Sequence, residues 1–210
     1  MERHRLQTTQ TLPPDYASSG TIDITKDQRL LWLLNGLGLV LLVAGGWLFS
    51  RAIIALRPED AWDHFSIVFS ATLLKTMALI SAVLALTVLH IFIHEAIHGI
   101  FFWWFTRSRP EFAFHWTHAY AAAPTWFVVR NNYLITCLAP LVVISLGGLI
   151  LTPFVPAGWL LPLWFVLTSN AGGAVGDVLV AVWLLRQPAD CLANDRGDAV
   201  TLYNRIAQPL

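Results

Sequence analysis

TMALISAVLALTVLHIFIHEAIHGIFFWWF, residues 76–105, decides how the rest of the chain is read. A helix needs about 20 apolar residues to cross the hydrocarbon core of a bilayer, and this stretch exceeds that length. It therefore has room to tilt or to project past the membrane surface. Three further stretches qualify at about residues 30–49, 133–152 and 158–185. Pro140 is expected to kink the third, and a turn at Pro153–Pro156 precedes the fourth. The apolar residues 65–74 are set off from the second span by Lys75 and read as an interfacial or extended helix start.

Composition agrees with this reading. Of the 210 residues 56% are hydrophobic and 12% charged, and mean hydropathy is +0.60. Soluble domains carry about 25% charged residues, so half the usual charge is missing. The expected fold is an all-α membrane protein with about four transmembrane helices and a β-hairpin-like loop between the second and third. Its expected organisation is a polar cytoplasmic N-terminal tail (1–29), an integral membrane domain (30–186) and a cytoplasmic C-terminal tail (187–210). The first 29 residues lack the short apolar core and small-residue cleavage site of a signal peptide. Net charge is zero and no basic run is dense enough for nucleic acid. Two cysteines, Cys137 and Cys191, are too few for a disulfide framework; Cys137 reads as a small packing residue.

Basic residues set the orientation. The N-terminal tail holds Arg3, Arg5, Lys26 and Arg29; the loop after span two holds Arg107, Arg109 and Arg130; the C-terminal tail holds Arg186, Arg196 and Arg205. Arg51, Arg57 and Lys75 lie on the opposite side. Ten against three predicts a multi-pass protein of the cell membrane with both termini in the cytoplasm.

The loop over 110–132 is more than a connector. Phe112, Phe114, Trp116, His118 and Tyr120 fall on alternate positions, a strand period. Ala121–Pro124 is the expected turn and Thr125–Val129 the second β-prone run, giving a hairpin beside the membrane. His115 and His118 read as surface or interfacial residues. In the tail, 195–198 reads as a turn and 199–203 as a short strand or helix.

His94-Glu95-Ala96-Ile97-His98 carries the chemistry. Histidines four apart on a helix project from one face and can grip one metal ion. Zinc suits imidazole nitrogen, and a catalytic site keeps a position open for water. Glu95 can take a proton from that water and pass it to a leaving amine. With seven histidines in the chain and four glutamates, chance supplies on the order of 0.004 such patterns. A glutamate inside an apolar span also demands a partner.

A third ligand is sought among the acidic residues. Only Glu95 and Asp177 lie deep within predicted spans. Spans two and four run in the same direction. His98 precedes Arg107 by nine residues, as Asp177 precedes Arg186, so each sits roughly 14 Å from its basic marker at 1.5 Å per residue. Depth therefore levels Asp177 with the histidines. The small residues around 170–177 allow close helix approach, and packing on span two would deliver Asp177 to the metal. Asn170, two turns earlier, is a candidate for orienting a ligand or substrate carbonyl. His90, one turn before His94, is a candidate supporting histidine.

These residues resemble a bacterial family of membrane zincin peptidases, distantly similar to site-2 proteases. The resemblance runs through His94–Gly99, Pro110, the Phe112/Phe114 strand, Ala119–Ala121, Arg130, Tyr133–Leu134, Leu138–Pro140, Asn170–Asp177 and the 195–203 tail, about residues 88–205. It implies Zn2+ held by His94, His98 and Asp177, with Glu95 as catalytic base and a membrane protein or peptide as substrate. Site-2 proteases place Gly after the ligand aspartate, where this chain has Val178. Two other readings stay open: a non-enzymatic membrane protein binding metal or haem through His90, His94 and His98, and a degenerate zincin that binds membrane clients without cutting them. The sequence leaves oligomeric state unassigned.

Overall fold

A computed structural model describes residues 7–23, 26–60, 73–114 and 119–206. In chain order the elements are β1 (Tyr16–Asp23), α1 (Gln28–Leu56), α2 (Leu73–Thr106), β2 (Glu111–Phe114), β3 (Ala119–Ala122), β4 (Val128–Val129) and α3 (Arg130–Leu151). A short 3-10 turn (Ala157–Trp159), α4 (Leu160–Gly173), α5 (Val175–Leu185), β5 (Leu192–Asp195) and β6 (Ala199–Arg205) follow. Three of the helices, Gln28–Leu56, Thr76–Thr106 and Arg130–Leu151, are long and apolar enough to cross a membrane. The pair α4 and α5, bent by 44°, would make a fourth. What was expected as one continuous span over 158–185 is thus broken at Ala174.

Local chemistry explains the helix ends. Asp27 caps α1, its Oδ1 accepting from the N–H groups of Arg29 at 2.9 Å and Leu30 at 3.1 Å, as a short polar side chain does for the orphan donors of a first turn. Pro58 follows α1 and discourages its continuation. Arg57 reaches the far end of α3, its Nη1 donating to the carbonyls of Thr152, Pro153 and Val155, while its Nε binds Asp60 at 2.7 Å.

The expectation of an all-α chain is corrected. The polar N-terminal stretch, the C-terminal tail and Val128–Val129 build a four-stranded antiparallel sheet in the order β1-β6-β5-β4. Tyr16 pairs with Arg205 and Asp23 with Ala199, a pairing across the length of the chain that local pattern cannot announce. The hairpin exists, but with a different register. Phe112 faces Ala121 and Phe114 faces Ala119, so Ala121 and Ala122 are strand rather than turn. Trp116, His115 and His118 lie outside the described residues, as does most of the 65–74 stretch. Val128–Val129 joins the larger sheet instead of the hairpin.

The described chain divides into two compact units. One comprises Met1–Leu34, Glu95–Ala139 and Gly176–Leu210. Its core gathers Phe102, Val128, Tyr133, Cys137, Val180, Leu184, Cys191 and Leu202. Both cysteines are free and buried; burial pushes the Cys191 thiol up to about 11. The other unit comprises Asn35–His94 and Pro140–Val175. There small residues let α1 and α4 approach closely. A methyl group added at Gly45 would come 2.8 Å from the Ala171 Cβ, and one at Gly172 would come 2.9 Å from the Leu42 Cβ. The small-residue stretch therefore seats its Ala171 and Gly172 on span one, while Asn170 at its start meets span two.

Candidate metal centre

α2 carries the motif, and the division between the two units falls within this unbroken helix. His90, His94 and His98 are all buried, while Glu95 is half-buried. Helical spacing turns the two motif histidines to one side. Asp177 reaches them from α5, where the break at Ala174 leaves it in the first turn of a new helix. One ligand atom from each of His94, His98 and Asp177 lies within 4.8 Å of the other two. Among the described residues this is the group of His, Cys, Asp or Glu side chains that could hold a metal ion.

The donor set fits zinc. Two ligand atoms about 2.0–2.1 Å from a tetrahedral zinc stand about 3.3–3.4 Å apart. The His98 Nε2 and the Asp177 Oδ1 are separated by 3.3 Å. Two imidazoles and one carboxylate leave a tetrahedral position for water, as a catalytic site requires. Both Asp177 and Glu95 act electrostatically on His98.

Each motif histidine is held through its other nitrogen. The His94 Nδ1 lies 3.0 Å from the Asn170 Oδ1, and Asn170 is fully buried on α4. The Asn170 Nδ2 donates to the Pro140 carbonyl at 3.3 Å, which fixes which end of the amide meets the imidazole. The His98 Nδ1 donates to the Thr136 carbonyl at 2.9 Å. Such partners set tautomer and ring orientation at metal sites. His90 also approaches the Asn170 Oδ1, with its Nε2 at 3.5 Å, and its ring meets that of His94 edge-on at 6.2 Å. Asn170 and His90 thus lie on the motif's polar flank, and His90 is absent from the three-donor group.

Two contacts near the site had no sequence signal of their own. The Tyr133 hydroxyl donates to the Asp195 Oδ2 at 2.6 Å, tying α3 to the tail sheet. Loss of water around the Asp195 carboxyl lifts it to about 6, against the opposing hydrogen bonds from Tyr133 and the Gly197 N–H. The second is a pair of glycine notches that seat the hairpin. Gly99, next after His98, lies under the Phe112 ring, so that an added methyl would come within 2.9 Å of Phe112 Cε1. Gly197, at a φ of 87° that glycine adopts without strain, lies under the ring of Tyr120.

Gly99→Val should therefore lift β2 from α2. Phe112 is itself half-exposed, so the ring can move, and the cost falls toward the low end of the ~1–3 kcal/mol typical of overpacking. The expected result is faster amide exchange across 111–122 by mass spectrometry, with zinc affinity preserved. Unchanged exchange would show that the notch does not position the strand.

A helix-borne His-Glu-x-x-His joined by a carboxylate from another helix defines a zincin-type centre. The family model described as "Putative zincin peptidase" matches residues 87–192. The chain belongs to this family of zincin peptidases, for which zinc is the implied metal and metallopeptidase activity the implied chemistry. No curated protein and no solved structure matches the chain.

Proposed function

We propose that this protein is an integral membrane zinc metallopeptidase that hydrolyses peptide bonds of membrane-protein substrates in or beside the cytoplasmic half of the bilayer, on a plan similar to that of site-2 proteases. The observation that carries the reading is the convergence of His94, His98 and Asp177 within helices apolar enough to span a membrane. Large apolar side chains such as Trp32, Leu39, Val88 and Ile150 are exposed on those helices, which suits a lipid environment better than water. The ten-to-three distribution of basic residues supports cytoplasmic termini.

In this reading His94, His98 and Asp177 hold the zinc. When bound, the metal polarises the scissile carbonyl and lowers the pKa of water. Glu95 accepts the proton from the attacking water and delivers it to the leaving amine. Asn170 and the Thr136 carbonyl keep both imidazoles turned toward the centre. The hairpin presents substrate: β2 and β3 form a two-stranded sheet, so each offers an outer edge to which an extended segment can add. Its Phe112 rests on the residue that follows His98. A membrane helix must be unwound before its peptide bonds are reachable, and strand addition holds the opened form.

The test is cleavage in reconstituted liposomes. The purified chain, with zinc measured, is mixed with single-span membrane proteins and the products are mapped by mass spectrometry. Chelator-sensitive cuts within or next to the substrate span are expected, restored by zinc. Stoichiometric zinc with no cleavage of any client would instead make this a binding protein built on a zincin frame.

A further inference from the structure

We propose that Pro140 is a positioning residue of the metal centre: lacking an N–H, it leaves the Thr136 carbonyl to His98 and so sets which ring nitrogen of His98 faces Asp177. The inference rests on the metal-centre reading given above. In an α-helix the N–H of residue 140 bonds to the carbonyl of residue 136. Proline cannot make that bond, yet Pro140 stands inside α3. The carbonyl it releases belongs to a residue only 1% exposed, where an unpaired acceptor is costly. His98 fills the vacancy, its Nδ1 at 2.9 Å.

A carbonyl can only accept, so the proton sits on Nδ1 and the lone pair is left on Nε2. That Nε2 is the atom 3.3 Å from the Asp177 Oδ1. The Thr136 hydroxyl does not compete, because it donates within the helix to the Asn132 carbonyl at 3.0 Å. Pro140 acts a second time through its own carbonyl, which receives the Asn170 amide at 3.3 Å, and Asn170 meets His94. A proline in the interior of a membrane helix is tolerated where neighbours satisfy the groups it frees. Here the neighbour is His98 itself.

The experiment measures zinc affinity of the full chain in detergent by competition with a chromophoric chelator. Pro140→Ala restores the N–H, which reclaims the Thr136 carbonyl; zinc binding should weaken about 10–100-fold, the usual effect of losing such a partner. Lactic acid placed at position 140 gives a backbone ester, without ring or N–H, and should return affinity to near the wild-type value. Wild-type affinity in Pro140→Ala overturns the proposal. So does an ester as weak as the alanine variant, since ring shape would then be the cause. Should the alanine variant fail to fold, 113Cd-loaded, 15N-histidine-labelled wild-type protein decides: coupling of the metal to the His98 Nε2 is expected, and coupling to Nδ1 overturns it. A wild-type chain with no zinc affinity would bring down the metal centre itself, an outcome distinct from the others.

Discussion

Glu95→Gln is expected to abolish peptide hydrolysis while zinc stays bound. Glutamine keeps the length and polarity of the side chain but cannot take a proton from water. Removing a general base costs typically 10²–10⁴-fold, and a fall in kcat of that order is expected here. The metal should remain, because Glu95 is outside the three-donor group of His94, His98 and Asp177. The check is a pair of numbers on one preparation: zinc per chain and cleavage rate. Cleavage equal to wild type would remove Glu95 from the mechanism, whereas loss of both metal and activity would recast it as part of the binding site.

Asp177→Ala should have the largest effect on metal. Among the described residues the carboxylate is the ligand candidate of that group from outside α2, and it lies 3.3 Å from the His98 Nε2. Without it the two histidines alone hold the ion. The loss should exceed the 10–100-fold that follows removal of a supporting partner, so zinc should not survive dialysis against a mild chelator. Asp177→Asn discriminates further. It retains an oxygen and the first-turn position on α5 but not the charge, and intermediate affinity is expected. Unaltered zinc content in Asp177→Ala would exclude it from the ligand set and return the search to other oxygen donors.

The helices were legible because a bilayer imposes a length that apolar runs satisfy residue by residue. The motif was legible because its residues sit within one and a half turns of a single helix. Asp177 could be found from depth alone, since few ionisable residues enter the spans. Its immediate setting could not. The sequence reads 158–185 as continuous, and only the bend at Ala174 gives Asp177 a helix N-terminus, which favours a carboxylate. The sheet was illegible for a different reason. β1, with Ser18, Ser19, Gly20 and Asp23, has little intrinsic strand preference and is made by its pairing with β6. The hairpin register was misread because Phe112, Phe114 and Tyr120 share one alternating pattern while standing on two strands. Thr136 was missed because it contributes a backbone oxygen; the signal that could have found it is Pro140, four residues on.

The pairing of β1 with β6 has a consequence for how the protein is born. A chain emerging from the ribosome exposes Thr21 long before Thr201, the residue whose hydroxyl it meets 180 positions later. Contacts of such sequence separation form slowly and last. Both motif histidines are synthesised before Asp177 and before Asp195, which Tyr133 binds. Pairing of β1 with β6 therefore follows the synthesis of α5 and its Asp177 carboxylate. A nascent chain stalled before α5 holds two of the three candidate ligands, so the proposed centre is complete only once α5 has been made.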